Sequence, residues 1–370
     1  MDLAVDSYAN VNTLSDGEGF LNLAWTLDER RFLSTDLCSV ISHELEDEVR
    51  SGLEYVNRYF VKDPYGEDAM GPGIAAFFSK AGWSAGVTCG AGVMSVLHSL
   101  ARLTEGKPAY IIGNSCPDFP FWVAQSGKAS VSNANPSFEE CISDLEIGPA
   151  SVIFLERPSL VGDRFTDLSE VKILCEQAEQ RGAVVVIDEA NANYYPPAFS
   201  AVNMIPEVAN LIVIRGFSKA YQLGGLRLSY CVASKILTER VRSVMPPLLA
   251  SSLSLRIGRR VLELGDMVLT LRRRIVENKE EMKRSFEVAW PGEVVASSKY
   301  LPYIFLKNKA EDIRTCLENH GLRGKFHPLW SGSSGDFCDA YRLSTPLTTE
   351  RMHLLRQKLS AIRQHRLVES

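Results

Sequence analysis

Val184-Val185-Val186-Ile187 runs into Asp188-Glu189-Ala190, and Leu211-Ile212-Val213-Ile214 leads to Gly216-Phe217-Ser218-Lys219, with Arg227 eight residues past the lysine. Both runs are short, apolar and rich in β-branched side chains, which predicts interior strands of a parallel sheet. The first delivers a carboxylate and the second a lysine to the sheet's C-terminal edge, where open α/β sheets bind ligands. Outward from this pair, apolar runs at 86–89, 109–112, 151–155 and 230–232 predict further strands, and apolar residues at helical spacing fill 95–103 and 168–181. This alternation over about 50–245 predicts an α/β protein with a mostly parallel, doubly wound sheet. Past Pro246-Pro247, 249–288 reads as one long helical stretch, 300–305 and 340–343 as strands, and 349–362 as a closing helix.

The chain has 370 residues, enough for roughly two domains at ~150 residues each. Its net charge of -5 and pI near 5.8, with Lys and Arg scattered, leave no basic footprint for nucleic acid or an anionic membrane. The longest basic run, Arg272-Arg273-Arg274, continues a helical pattern through Val261, Leu262, Met267 and Leu271 and is predicted to be a solvated helix face. No apolar segment of ~20 residues is present to span a bilayer. The eight cysteines are widely spaced without a CxxC pair, and the start, Met1-Asp2-Leu3-Ala4-Val5-Asp6, has no apolar targeting core. Together these features predict free thiols in a reducing cytoplasm. The six histidines show no metal-ligand spacing, so no metal is expected.

A lysine amine, a carboxylate and an arginine converging on one sheet edge are the parts that hold pyridoxal phosphate: the lysine as Schiff base, the acid on the pyridine nitrogen, the cation on the phosphate. Asp188 would keep the ring nitrogen protonated and Lys219 would act as general base at the substrate Cα. Arg227 offers a planar fork to phosphate oxygens. Cys89-Gly90-Ala91-Gly92-Val93-Met94 follows a strand and opens a helix, so Gly90, Ala91 and Gly92 are candidates for a backbone N–H phosphate cup, with Ser218 adding a hydroxyl.

The run Phe217-Ser218-Lys219-Ala220-Tyr221-Gln222-Leu223-Gly224-Gly225-Leu226-Arg227-Leu228-Ser229-Tyr230, at its interval after Asp188-Glu189-Ala190, resembles the lysine segment of the fold type I pyridoxal-phosphate enzymes (aminotransferase class I/II). It is most like the histidinol-phosphate aminotransferase branch. The resemblance implies a large cofactor-binding domain at 49–245. A smaller α+β domain would be built from 1–48 and 246–370, the N-terminal segment, an interdomain helix and the C-terminal part. It also implies that Arg342, in Asp339-Ala340-Tyr341-Arg342-Leu343-Ser344, clamps the α-carboxylate of an amino-acid substrate. Asn22, in Leu21-Asn22-Leu23-Ala24, would lie over the site, and Tyr65, in Asp63-Pro64-Tyr65-Gly66, would reach the phosphate site of a neighbouring subunit in a homodimer. Phe119, Phe121 and Trp122 are the candidates to cover the ring face.

The chain departs from that family's pattern at three places. The family's Asn-Pro-Thr-Gly segment is represented by Glu156-Arg157-Pro158-Ser159-Leu160-Val161-Gly162, without its asparagine. Asn191 stands where a tyrosine is usual three residues after the aspartate, and Gly216 where a Ser or Thr precedes the lysine by three. The first two departures touch groups that bond the cofactor's phenolic oxygen and so tune its chemistry. They favour Cα proton removal followed by β- or γ-elimination and replacement or cyclisation, as in the capreomycidine and enduracididine synthases of this family. Asp16, Glu18, Asp28 and Glu29 would be available to a guanidinium, with surface positions as their other reading. An ordinary aminotransferase of the histidinol-phosphate type is the alternative, and a catalytically retired binding module is the third reading.

Overall fold

The computed structural model describes residues 16, 19–57, 61–79, 85–104, 106–125, 131–134, 147–162, 166–306, 310–331 and 336–369. The strands are β1 (Leu21–Asn22), β2 (Gly86–Gly90), β3 (Ala109–Ile112), β4 (Val131–Ala134), β5 (Val152–Glu156), β6 (Val184–Asp188), β7 (Leu211–Gly216), β8 (Ser229–Ala233), β9 (Val294–Ala296), β10 (Tyr303–Leu306), β11 (Leu322–Arg323), β12 (Lys325–Ser331) and β13 (Asp336–Ser344).

Seven of them form one sheet in the order β2-β8-β7-β6-β5-β3-β4. The pairings β7·β6, β6·β5, β5·β3 and β3·β4 are parallel, and β8 runs antiparallel to both its neighbours. Side chains alternate between two buried layers. Val185, Ile187, Leu211 and Val213 join one core cluster, while Val184, Val186, Ile212 and Ile214 join another on the opposite face. This two-sided burial is why the central strands read as unbroken apolar runs. The helix Leu168–Glu179 starts at a capping box in which Asp167 and Glu170 satisfy each other's backbone N–H.

A second, antiparallel sheet has the order β12-β13-β10-β9. Its alternation places Ile304, Leu306, Tyr341 and Leu343 against the helices Leu269–Ala289 and Thr349–Glu369, while Tyr303, Phe305 and Leu329 pack into the core of the large sheet. Lys325, His327 and Arg342 belong by strand parity to the face turned toward the large sheet. The N-terminal β1 pairs in parallel with β11, which brings residues 21–24 beside the second sheet.

Three expectations are modified. The helical stretch at 249–288 is two helices, Ser252–Glu263 and Leu269–Ala289, broken after Gly265, which adopts φ +72°. The helix Leu37–Arg50 runs across position 48/49 and ties to the helix Ser252–Glu263 through Glu44 and Arg256 at 2.7 Å. Arg272, read as part of a solvated face, is buried and bonds Asp266 through Nη1 at 3.0 Å; Arg273 alone of the three is exposed. Among the described residues, no helix is long and apolar enough to cross a membrane, and no cluster of metal-ligating side chains occurs.

Candidate active site

β6 and β7 are neighbours, so Asp188 and the loop after Gly216 emerge side by side at the C-terminal edge. Asp188 is buried, and its Oδ1 accepts from Ala190 N at 2.8 Å. Burial pushes its carboxyl up to about 7, with Asp118 and Glu189 adding repulsion. Among the described residues, no ion pair reaches it. A buried acid without a cation is the partner a protonated ring nitrogen requires.

Lys219 is half-buried on a strained loop in which Ala220, Gln222 and Arg227 all have positive φ, at 62°, 53° and 50°. Non-glycine residues hold that conformation only when their surroundings impose it. Here they do. Leu223 N returns to Phe217 O at 3.1 Å, Gln222 Nε2 donates to Thr26 O at 2.6 Å, and Arg30 Nη2 donates to Gln222 O at 2.6 Å. From below, Asn193 Nδ2 donates to Gly216 O at 2.7 Å and to Lys219 O at 3.4 Å. Asn193 is itself fixed by Arg215 Nη2 at 2.7 Å, and Arg215 and Arg157 share the buried Glu189 carboxylate at 2.6 and 2.8 Å. Ser200 Oγ and Ala201 N complete the bonding of Glu189.

The turn Gly90-Ala91-Gly92 follows β2 and opens the helix Val93–Leu100, with Gly92 at φ +88°. Arg227 reaches it: Nη2 donates to Ala91 O at 3.1 Å and lies 2.6 Å from where a Cβ on Gly92 would sit. Ser218 is exposed next to Lys219. The glycine at 216 also has a local reason, since a Cβ there would meet Val93 Cγ2 at 2.8 Å. A Ser or Thr at this position would displace the first residue of that helix.

Arg342 is buried on β13 opposite Lys325 on β12. Its Nη2 donates to Ala24 O at 2.8 Å, and its guanidinium lies 4.5 Å from the Tyr303 ring centroid. Lys325 is pulled down to about 7 by burial, then by Arg342 and Lys219. His327, also on β12, is held well below its ordinary value by burial and the same cations. Arg342, with Lys325 opposite it, makes this wall suited to a carboxylate.

Other expected residues fall elsewhere. The Asn22 side chain accepts from Ala24 N at 3.0 Å, closing a local turn; it is the Ala24 carbonyl of this segment that meets Arg342. Asp16 pairs with Arg351 at 2.9 Å, and Asp28 accepts from the backbone N–H of Leu347 and Thr348 at 2.8 and 2.9 Å, so both pin the N-terminal stretch to the last helix. Glu29 is buried, accepts from the Tyr194 hydroxyl, and is pushed up to about 7 by burial, partly offset by that bond. Glu18 lies outside the described residues. Tyr65 packs on Arg242, 4.9 Å from ring centroid to guanidinium, in a loop lining a cavity of about 370 Å³ with Tyr55, Cys89, Leu248 and Leu255. Phe119 stacks on Phe154 inside the core, Trp122 meets His98 edge-on, and Phe121 touches Trp122. Asn191 Nδ2 is 3.2 Å from Glu156 Oε1. Glu156, Cys116, His327, Lys325 and Arg30 escaped the sequence reading. Glu156 had a signal in the acid that ends its apolar strand.

Residues 146–324 match the family described as Aminotransferase class I and II. The chain has the fold of the fold type I pyridoxal-phosphate enzymes. It is similar to the solved structures of L-threonine-O-3-phosphate decarboxylase from Porphyromonas gingivalis (TM-score 0.68, 17% identity, covering 93% of this chain and 99% of that one) and histidinol-phosphate aminotransferase from Clostridium acetobutylicum (0.68, 14%, 93% and 99%). In sequence it is 31% identical over 146 residues to the histidinol-phosphate aminotransferase of Pyrococcus furiosus, covering 39% of this chain and 41% of the relative. It is 27% identical over 230 residues to that of Ruminiclostridium cellulolyticum, covering 62% of each. The chain thus spans between 41% and 62% of the length of these curated relatives. Pyridoxal phosphate is the cofactor of the fold type I enzymes, and the residues present in this fold suit it. Among the described residues Asp188 is a buried acid without an ion-pair partner, Gly92 and Arg227 form a cradle that a Cβ would fill, and Lys219 lies on the loop that follows the neighbouring strand.

Proposed function

We propose that this chain is a pyridoxal-phosphate enzyme acting on a free amino acid, with Lys219 taking the Cα proton. Bound in the site, the cofactor supplies an electron sink for the Cα electron pair. Asp188 would hold the ring nitrogen protonated, and Arg227 with the Gly90-Ala91-Gly92 turn would hold the phosphate. Arg342 would orient the substrate α-carboxylate. The reading is carried by the side-by-side exit of Asp188 and the Lys219 loop from β6 and β7. We also propose a homodimer that covers the Tyr65 face and a cytoplasmic setting. The latter is in keeping with free cysteines at the described positions 38, 89, 116, 175, 231 and 316.

For the step after proton removal we propose elimination at the β or γ carbon with replacement or cyclisation. Asn191, standing where the family places a tyrosine and bonded to Glu156, and the missing asparagine of the 156–162 stretch support it. Transamination is the second reading, favoured by the names of the curated relatives. The two separate when amino acids are supplied with 2-oxoglutarate. Glutamate formation matched to keto-acid product supports transamination. Amino-acid consumption without glutamate supports elimination, and no consumption of any amino acid counts against both.

A further inference from the structure

Glu156 and Asp188 end neighbouring strands as register partners, so both carboxyl groups leave the same face of the sheet at one edge. Both are buried. Two carboxyl groups placed together out of water do not both ionise, and once Asp188 pairs with a cationic ring the retained proton belongs on Glu156. Glu156 is already pushed up to about 8 by burial and by Asp188. Its Oε2 accepts from Cys116 N at 2.7 Å and its Oε1 lies 3.6 Å from Cys116 Sγ. The thiol carries the line onward, because Sγ is 3.7 Å from His327 Nε2 on β12. Two residues along β12 stands Lys325, directly opposite Arg342. A series of three exchangeable groups therefore runs from the sheet edge to the wall assigned to the substrate carboxylate.

Cys116 and His327 keep part of their surface accessible, yet burial raises the thiol and lowers the imidazole far from their ordinary values. Near neutral pH the series is then carboxyl O–H, thiol S–H and neutral imidazole, each next to a group able to take a proton. Cys116 also faces Asp118, Asp188 and Lys219, and His327 faces Arg342, Lys325 and Lys219. With Arg342, Lys325 and Lys219 around it, an imidazolium at 327 is unfavourable until a substrate carboxylate occupies Arg342.

We propose that Glu156, Cys116 and His327 form a proton relay that serves the substrate side chain, separate from Lys219 at Cα. The relay rests on the pyridoxal-phosphate reading above. Glu156 gives its proton to Sγ while the thiol passes its own to Nε2, leaving a carboxylate and an imidazolium. The imidazolium donates to the oxygen leaving the β carbon. The C–O bond breaks, its electron pair stays on oxygen, and water departs. The pair left at Cα by deprotonation supplies the electrons for the new unsaturation. Solvent reprotonates Glu156, and Lys219 releases the Cα proton to solvent.

Cofactor-loaded wild type, E156Q, C116A, C116S and H327N test this. Infrared spectra in water and deuterium oxide read protonated carboxyl groups, and NMR on ring-labelled histidine reads His327, assigned by its loss in H327N. Expected are a carboxylic-acid band at neutral pH that E156Q removes and C116A shifts, a His327 line that moves in C116A and E156Q, and near-native behaviour of C116S. In parallel, protein L-amino acids in deuterium oxide report Cα exchange. Exchange should persist in C116A and H327N while product release falls on the order of 10²-fold. No exchange in the wild type overturns the pyridoxal-phosphate reading itself. Exchange without a carboxyl band removable by E156Q, or with a His327 line indifferent to Cys116, overturns the relay alone.

Discussion

Arg227 Nη2 occupies the space that a side chain on Gly92 would need: the ideal Cβ position lies 2.6 Å from that nitrogen. Guanidinium and glycine turn are therefore one unit, and Gly92 at φ +88° is strained for any other residue. Gly92→Ala should push the guanidinium off the turn and weaken retention of pyridoxal phosphate about tenfold, or ~1.4 kcal/mol. Titrating the cofactor by visible absorbance checks this. Unchanged affinity would remove the phosphate role of this turn.

Lys219→Ala should leave the fold intact, because the loop is held by the Gln222 and Asn193 side-chain amides and the Leu223 backbone N–H rather than by the lysine side chain. The visible absorbance of lysine-linked cofactor should vanish, and Cα exchange should fall by on the order of 10²–10⁴. A variant that still exchanges the Cα proton at the wild-type rate would show that another base does the work.

Arg342 is buried, bonded to Ala24 O and stacked on Tyr303. Arg342→Ala should act mainly on KM, since truncating one partner of a buried charge pair costs roughly 2–5 kcal/mol. Arg342→Lys should rescue little, because a lysine reproduces neither the fork nor the stacking. Steady-state kinetics on any accepted amino acid separates KM from kcat, and a pure kcat loss would contradict a carboxylate clamp.

Among the described residues, the Glu189 carboxylate is shared by Arg157 and Arg215 at the base of the lysine loop. Replacing it by alanine takes the shared carboxylate from two buried cations. Stability should drop by about 3–5 kcal/mol, visible as a lowered urea midpoint. A loss below about 1 kcal/mol would mean that the network relaxes without it.

Burial raises Glu29 and Asp188 to about 7 and Glu156 to about 8 in the cofactor-free protein. Between about pH 4 and these values the folded chain binds protons that the unfolded chain releases. The contribution of these groups to stability is therefore full in acid and is lost as pH rises through about 8. Glu29→Gln should flatten that decline by on the order of 1–3 kcal/mol. Urea midpoints of both proteins at about pH 5 and pH 8 give the comparison. An equal decline in both would exclude Glu29 as a titrating contributor.

The strand pattern was legible wherever burial is two-sided, as at 184–187 and 211–214, because parallel interior strands require apolar side chains on both faces. The edge strand Val131-Ser132-Asn133-Ala134 went unread: among the described residues it pairs with β3 alone, and Ser132-Asn133 break the apolar run by which the other strands were read. Gly265 interrupts what spacing alone reads as one helix. Phe119 had the right type for a ring cover but the wrong face, since its stacking on Phe154 takes it into the core. Asn22 was read from resemblance, and its side chain is occupied by its own turn.

The sequence by itself determined the mostly parallel sheet, the delivery of Asp188 and Lys219 to one edge and the glycine turn that Arg227 meets, because each is written in a local run of a few tens of residues. Only the tertiary structure decided what stands around them. Cys116 reaches Glu156 across 40 positions and His327 across 211, and Arg342 meets Ala24 across 318. Local periodicity fixes which way a side chain leaves its own strand or helix. Which distant side chain it then meets depends on how two sheets pack, and that is set by burial summed over the whole chain.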